Sequence, residues 1–260
     1  MKYEDIILKG DSIRKIYVRE DFLGASRTFI KALDGVGFDL LRGGILGIVG
    51  ESGSGKSTLA KIICGLEQQS SGELIWGTSD RPSTKASRAQ MVFQDPFSSL
   101  NPKLTIGYMM REALNSASPE RKSAAGQSDI RSILAYTGLE DIDLGKYPHQ
   151  FSGGQRQRLV ISRALAVEPE ILVCDEPVSA LDISIQAQII NLLIDINRNM
   201  GLTVIFIAHD IEAVSMICQD IMVMKSGRVV ESGKLEDIVR HPGTEYTKTL
   251  LDAVPRNPWL

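Results

Sequence analysis

Gly50-Glu51-Ser52-Gly53-Ser54-Gly55-Lys56-Ser57 is the stretch whose residue types and spacing point most directly to chemistry. It fits G-x-x-x-x-G-K-[ST], a loop that cradles the phosphates of a nucleoside triphosphate. Gly53 and Gly55 let the backbone take angles barred to other residues, so successive amides can point at phosphate oxygens, and Gly50 opens the loop. A helix starting at Lys56 adds positive potential at the same place. In this reading Lys56 reaches the β- and γ-phosphates, the Ser57 hydroxyl ligates Mg²⁺, and Ser52, Ser54 and Thr58 complete the ATP-binding set. A Gly/Ser turn that matches by accident needs no particular flanks. Here the apolar run Ile45 to Val49 reads as a buried strand before the loop, and Lys56 to Cys64 reads as a helix closing at Gly65.

Four further stretches carry candidate chemistry. Asp175 and Glu176 follow the apolar run Ile171-Leu172-Val173-Cys174, at the strand end where open α/β sheets place their sites. The first carboxylate suits Mg²⁺ and the second suits polarising a water, against the plain reading of an acidic turn before Pro177. Ser152-Gly153-Gly154-Gln155 opens a periodic helix, either as a second phosphate-seeking N-terminus or as a flexible connector. His209 ends an apolar strand and is either catalytic or structural. Tyr17 lies among alternating apolar residues, placed either to stack on a purine or simply to fill a strand.

The elements that must position these residues follow from periodicity. Alternation at Ile13, Ile16 and Val18 and again at Phe29, Ile30, Val36, Phe38 and Leu40 predicts an antiparallel β layer with a turn over Gly24 to Arg27. Glu73 to Trp76 predicts a short strand, Gly77 to Ser87 a surface loop, and Gln90 to Phe93 a strand ending at Gln94. Asp95 to Pro102 reads as a turn carrying apolar residues, which either docks a partner or packs on its own domain. Thr105 to Tyr147 is helical in pattern, loose from Asn115 to Ser128, and has no strand signal. Such a stretch is a helical subdomain inserted in an α/β core. A helical stripe from Ile185 to Ile196 stops at Gly201, a strand covers Thr203 to Ile207, and Ile221 to Val230 forms a hairpin around Ser226-Gly227. Short helices follow from Lys234 and from Glu245.

Bulk properties exclude some classes. With 260 residues the chain can bury a large core, and a net charge of −3 without a basic block gives no electrostatic case for nucleic acid. Cys64, Cys174 and Cys218 are odd in number and embedded in apolar sequence, so they read as buried thiols of a reducing compartment. No apolar run approaches the ~20 residues of a membrane span, and the charged N-terminus does not read as a signal peptide. Any membrane role therefore comes through a partner.

In order and spacing these residues resemble the nucleotide-binding subunit of an ATP-binding cassette (ABC) transporter over nearly the whole chain. Gly50 to Ser57 matches Walker A, Gln94 the Q-loop, Phe151-Ser152-Gly153-Gly154-Gln155 the signature, Asp175-Glu176 the end of Walker B, Ser179 to Asp182 the D-loop and His209 the switch histidine. Phe151, where the family most often has leucine, is the one departure. The resemblance implies a P-loop NTPase (RecA-like) α/β core with an N-terminal antiparallel β layer. It also implies an ATPase domain over residues 1–240, a helical insertion over about 97–165 and a short C-terminal extension over 241–260. It makes Tyr17 the adenine-stacking aromatic, Gln94 and Asp175 Mg²⁺ ligands beside Ser57, Glu176 the general base, His209 the γ-phosphate sensor, and Ser152 to Gln155 a contact to ATP in a second subunit.

A finer resemblance rests on Phe93 to Pro102, Tyr147-Pro148-His149-Gln150 and His241-Pro242-Gly243-Thr244-Glu245-Tyr246-Thr247, which look like the oligopeptide, dipeptide and nickel importer subgroup. It implies transmembrane permease partners, a second ATPase subunit that is a paralogue or another copy, an extracytoplasmic solute-binding protein, and a peripheral place on the cytoplasmic face of the membrane. The chain lacks the cysteine-rich tail of longer relatives, so no iron–sulphur cluster is expected. The competing class, a soluble ABC-type ATPase of DNA repair or translation, usually carries a long coiled coil, a zinc module or tandem cassettes, and no such feature is evident.

Overall fold

A computed structural model describes residues 5–20, 27–78, 88–117, 127–179 and 181–253. They gather into two compact units, Met1–Pro82 with Thr203–Leu260, and Ser83–Leu202.

In the first unit the alternating N-terminal residues form the expected antiparallel layer. β1 (Ile6–Glu20) and β2 (Arg27–Leu41) are long strands, and β4 (Ser71–Trp76) completes the order β2-β1-β4. Ile13, Leu33, Val36 and Leu40 are buried on one stretch of the layer, while Val18, Phe29 and Ile30 are exposed near the hairpin end. The same unit holds β3 (Ile45–Val49), β7 (Thr203–Ala208), β8 (Asp220–Lys225) and β9 (Arg228–Lys234). β3 is parallel to both β7 and β8, and β8 and β9 form the antiparallel hairpin read around Ser226-Gly227. β3 and β7 are apolar except for the buried Thr203, because strands covered on both faces have no solvent side.

Helix α1 (Lys56–Ile63) buries Leu59, Ala60, Ile62 and Ile63 and closes with Gly65 in the left-handed region. Between β7 and β8 lies α7 (Ile211–Ser215), too short for its period to stand out in sequence. α8 (Leu235–Arg240) and α9 (Glu245–Asp252) are the two short helices expected at the C-terminal end.

The second unit holds β5 (Ala89–Val92) and β6 (Ile171–Asp175), paired in parallel, with α3 (Ile106–Ala117), α4 (Gln127–Tyr136), α5 (Gly153–Leu165) and α6 (Ile183–Met200). α6 ends at Gly201 in the left-handed region, as its stop signal predicts.

Two local readings are corrected here. The expected turn from Asp95 to Pro102 contains a one-turn helix, α2 (Pro96–Ser99), because the Asp95 carboxylate accepts the Phe97 amide at 2.8 Å and Pro96 is preset for a first helical position. The stretch expected to be loose from Asn115 begins inside α3, which runs on to Ala117, and α4 is already formed at Gln127. Residues 21–26, where a turn is expected, 79–87, 118–126, Ala180 of the expected D-loop and 254–260 of the expected C-terminal extension lie outside the described residues. The three cysteines are buried and outside any disulfide, as read.

Candidate nucleotide-binding site

The phosphate loop leaves the carboxyl end of β3 in a conformation that only glycine takes cheaply. Gly50 has φ 152°, and a side chain there would run into the Met224 carbonyl oxygen. Gly55, at φ 105°, is the N-cap of α1; no side chain caps this helix and its first turn carries no acidic residue. An uncapped helix start keeps its first amides for an anion, and here the loop glycines aim the preceding ones. Lys56 is only 4% exposed; its ammonium donates to Gly50 O at 2.5 Å and Glu51 O at 2.9 Å. Ser57 is exposed at the helix start, with Thr58 behind it, while Ser52 and Gly53 are exposed on the loop and Ser54 is buried.

Remote segments brace this loop. The Gly227 amide, in the β8–β9 turn, donates to Ser54 O at 2.9 Å, and Gly227 O accepts the Asp34 amide of β2 at 2.8 Å. The Arg228 guanidinium lies 2.5 Å from the Asp34 carboxylate. That hydrogen bond, with Lys31 nearby, holds the Asp34 carboxyl below the usual carboxylate range.

Strand register brings a second predicted residue to the same edge. Val49 pairs with Ala208, so Gly50 and His209 leave neighbouring parallel strands side by side. Asp210, whose carboxylate caps α7 through the Ala213 amide at 2.7 Å, also holds His209 Nδ1 at 3.0 Å and orients the ring. Tyr17 is half-buried in β1 opposite Ile30, with Lys15 Nζ 4.9 Å from its ring centre. Lys15 also pairs with Glu67 at 2.5 Å, and that hydrogen bond lowers the Glu67 pKa.

The second unit assembles its own group. Val92 pairs with Cys174, so Gln94 and Asp175-Glu176 emerge from the same end of the β5–β6 pair. The Gln94 amide donates to Ser179 Oγ at 3.3 Å, and Ser179 Oγ donates to the Glu176 carbonyl at 3.1 Å. Glu176 sits at φ 48°, unusual for a residue with a side chain, the kind of local strain that clusters at working sites. Asp175 is buried at the end of β6. Asp182 occupies the N-cap of α6 without spending its carboxylate on a cap.

The signature residues begin α5 as a closed capping box. Ser152 Oγ accepts the Gln155 amide at 3.3 Å and Gln155 Oε1 accepts the Ser152 amide at 3.0 Å. A side chain on Gly154 would crowd Ile185 of α6 at 2.8 Å, whereas Gly153 meets only Leu181 at 3.6 Å. Phe151 is buried, so the apolar substitution for leucine does an apolar residue's work. The turn after Gln94 points both ways: Leu100 packs inward, while Phe97 is 64% exposed with the Arg156 guanidinium 3.9 Å from its ring centre. Beside it, a groove of about 420 Å³ opens between β5, α3 and α5, lined by Met91, Phe93, Ala113 and Val160 among others.

Sequence reading gave no role to Ser179, Asp210, Gly227 or Tyr246. Ser179 and Tyr246 lay inside quoted motifs, and that was their only signal; the turn at Gly227 was read for shape alone.

Comparison with known proteins agrees with this geometry. The profile of the ABC transporter family matches residues 33–179, more than half of the chain. The chain is 45% identical over 233 residues to the oligopeptide transport ATP-binding protein OppF of Salmonella typhimurium, covering 87% of this chain and 70% of the relative. It is 40% identical over 263 residues to the dipeptide transport ATP-binding protein DppF of Escherichia coli, covering 97% and 78%. Among solved structures it resembles cbiO1 of Clostridium perfringens, part of an ABC transporter complex, with a TM-score of 0.73 and 30% identity over 92% of each chain. A dimeric ATP-binding cassette in a post-hydrolysis state with ADP and phosphate gives a TM-score of 0.71 at 30% identity, over 88% of this chain and 98% of that one. A braced phosphate loop with an uncapped helix start, on a fold shared with nucleotide-bound cassettes, makes the chain a member of the ABC transporter family: an ATP-binding subunit that hydrolyses ATP.

Proposed function

We propose that this ATPase is the energy-coupling subunit of an importer for peptides, or for nickel and metal-chelate-like solutes, working as an ATP-sandwich dimer. The observation that carries the reading is its 45% identity to an oligopeptide transport ATP-binding protein, joined to a complete set of nucleotide motifs. The reading includes an ATPase domain over 1–240 with a helical insertion near 97–165, and an extension over 241–260.

In this reading Lys56 neutralises the β- and γ-phosphates and Tyr17 stacks on adenine. Glu176 orients the attacking water and takes its proton, while His209 contacts the γ-phosphate and is held for it by Asp210. Ser57, Asp175 and Gln94 all offer oxygen donors, which suits Mg²⁺ with its preference for a few protein oxygens plus phosphate. When bound, that ion neutralises developing phosphate charge. Ser152 to Gln155 and Asp182 complete the site of a second ATPase subunit, a paralogue or another copy.

No described helix is long and apolar enough to cross a membrane. Transport therefore requires permease subunits. The exposed Phe97 ring, beside a groove lined by apolar residues and by Gln90, Glu112 and Arg163, offers them a seat from the cytoplasmic face. An extracytoplasmic binding protein delivers the solute.

The test is uptake in vesicles carrying the cognate membrane subunits and binding protein. MgATP inside should drive accumulation of a labelled dipeptide or oligopeptide, or of a nickel chelate; Gly153→Asp should abolish both uptake and ATP-dependent pairing. ATP hydrolysis without uptake of any of these solutes would overturn the importer reading.

A further inference from the structure

A hydrogen bond spanning 195 positions of the chain ties the phosphate loop to the C-terminal helix: the Glu51 amide donates to the Tyr246 hydroxyl oxygen at 3.0 Å. That amide belongs to the Gly50–Glu51 peptide, whose carbonyl accepts the Lys56 ammonium at 2.5 Å. In a trans peptide the N–H and C=O point to opposite sides. One peptide plane is therefore held from one side by Tyr246 and from the other by Lys56.

Tyr246 is itself well fixed. It is 8% exposed, and Lys225 Nζ lies 4.4 Å from its ring centre. Its helix, α9, is anchored on β9 through Glu231, whose carboxylate accepts the Gly243 amide at 2.7 Å and the Thr247 hydroxyl at 2.5 Å. The Thr244 side chain caps the same helix by accepting the Thr247 amide at 3.1 Å.

We propose that Tyr246 is a positioning residue for nucleotide binding: through the Gly50–Glu51 peptide it holds the loop and the Lys56 ammonium in the receptive arrangement, making residues 243–252 part of the site's support. Preorganisation is the physical reason. A peptide free to rotate must be ordered when phosphate binds, and that ordering is subtracted from affinity. The inference rests on the reading of residues 50–57 as the ATP loop.

The experiment compares Tyr246→Phe with the parent chain, using MgATP as the probe in calorimetry and in steady-state hydrolysis. Removing only the hydroxyl should raise Kd and KM for MgATP about 2- to 10-fold, the worth of one neutral hydrogen bond, with kcat at saturating ATP unchanged. In the parent, hydrogen exchange should find the Glu51 amide protected, and Tyr246→Phe should release it. Unchanged affinity with a lowered melting midpoint would show that Tyr246 only packs the helix, and overturns the proposal. So does a Glu51 amide that exchanges at the unprotected rate in the parent, a result that does not depend on the variant folding. Failure of the parent to bind MgATP would instead sink the loop assignment itself.

Discussion

Two helix starts, one in each unit, use glycine to opposite ends. α1 begins at Gly55 with no side-chain cap, and its loop takes its shape from residues far along the chain: Gly227 on Ser54, Tyr246 on Glu51, Met224 against Gly50. α5 begins two glycines wide but closes on itself, Ser152 and Gln155 capping each other within four residues. An end that leaves its amides uncommitted must be held by something else, whereas a self-capped end keeps its form alone. The first is built to receive an anion within its own chain. The second presents an already satisfied turn, which is consistent with the contact to a second subunit's ATP proposed above.

The largest test of this contrast separates chemistry from both starts. Glu176→Gln should slow hydrolysis by about 10²–10⁴ while MgATP binding persists, the usual range for loss of a general base. Parent-like turnover would move the base elsewhere, with His209 next to be tested. Lys56→Ala acts on the uncapped start: it removes the buried ammonium that joins Gly50 and Glu51 and that we propose meets the phosphates, so affinity for MgATP should fall about 100-fold. Calorimetry decides, and unchanged affinity would mean that the loop binds by its amides alone.

Acidification probes the remote bracing. Burial pushes the Glu231 carboxyl up, but the hydrogen bonds from Thr247, Gly243 and Thr244 outweigh it, so its pKa in the folded chain lies below the usual glutamate value. A depressed carboxylate stabilises the fold fully above the unfolded value, and this is lost as pH falls through the folded one. Hydrogen exchange at α9 and at the Glu51 amide should therefore rise together below about pH 4.5 in the parent, and Glu231→Gln should weaken this dependence. If the two regions respond independently, α9 does not hold the loop.

The smallest effect concerns the self-capped start. Ser152→Ala should destabilise the chain by about 1 kcal/mol in denaturant unfolding while its affinity for MgATP in the isolated subunit stays unchanged. A matching loss of affinity would erase the distinction between the two helix starts.

The local pieces of this molecule were legible without coordinates. The run Ile45 to Val49, the loop glycines and the amphipathic stretch after Lys56 each signal their own conformation through residues a few positions apart, and so do the buried strand before Asp175 and the capping pattern at Ser152. The short α2 carries no periodic signal, because a single cap and a proline make this turn helical. Which candidates share an edge was a different matter. Residue types alone cannot state that Val49 pairs with Ala208, which sets His209 beside Gly50, or that Val92 pairs with Cys174, which sets Gln94 within reach of Ser179.

By itself, then, the sequence determined the chemistry on offer and the local backbone that carries it, because propensity, caps and glycine angles act over a turn or two. Only the tertiary structure decided how the phosphate loop is held, since Asp34, Gly227 and Tyr246 come from a strand, a hairpin turn and a helix widely separated along the chain. Their contacts arise from strand register and burial, which depend on the whole sheet rather than on any neighbouring residues.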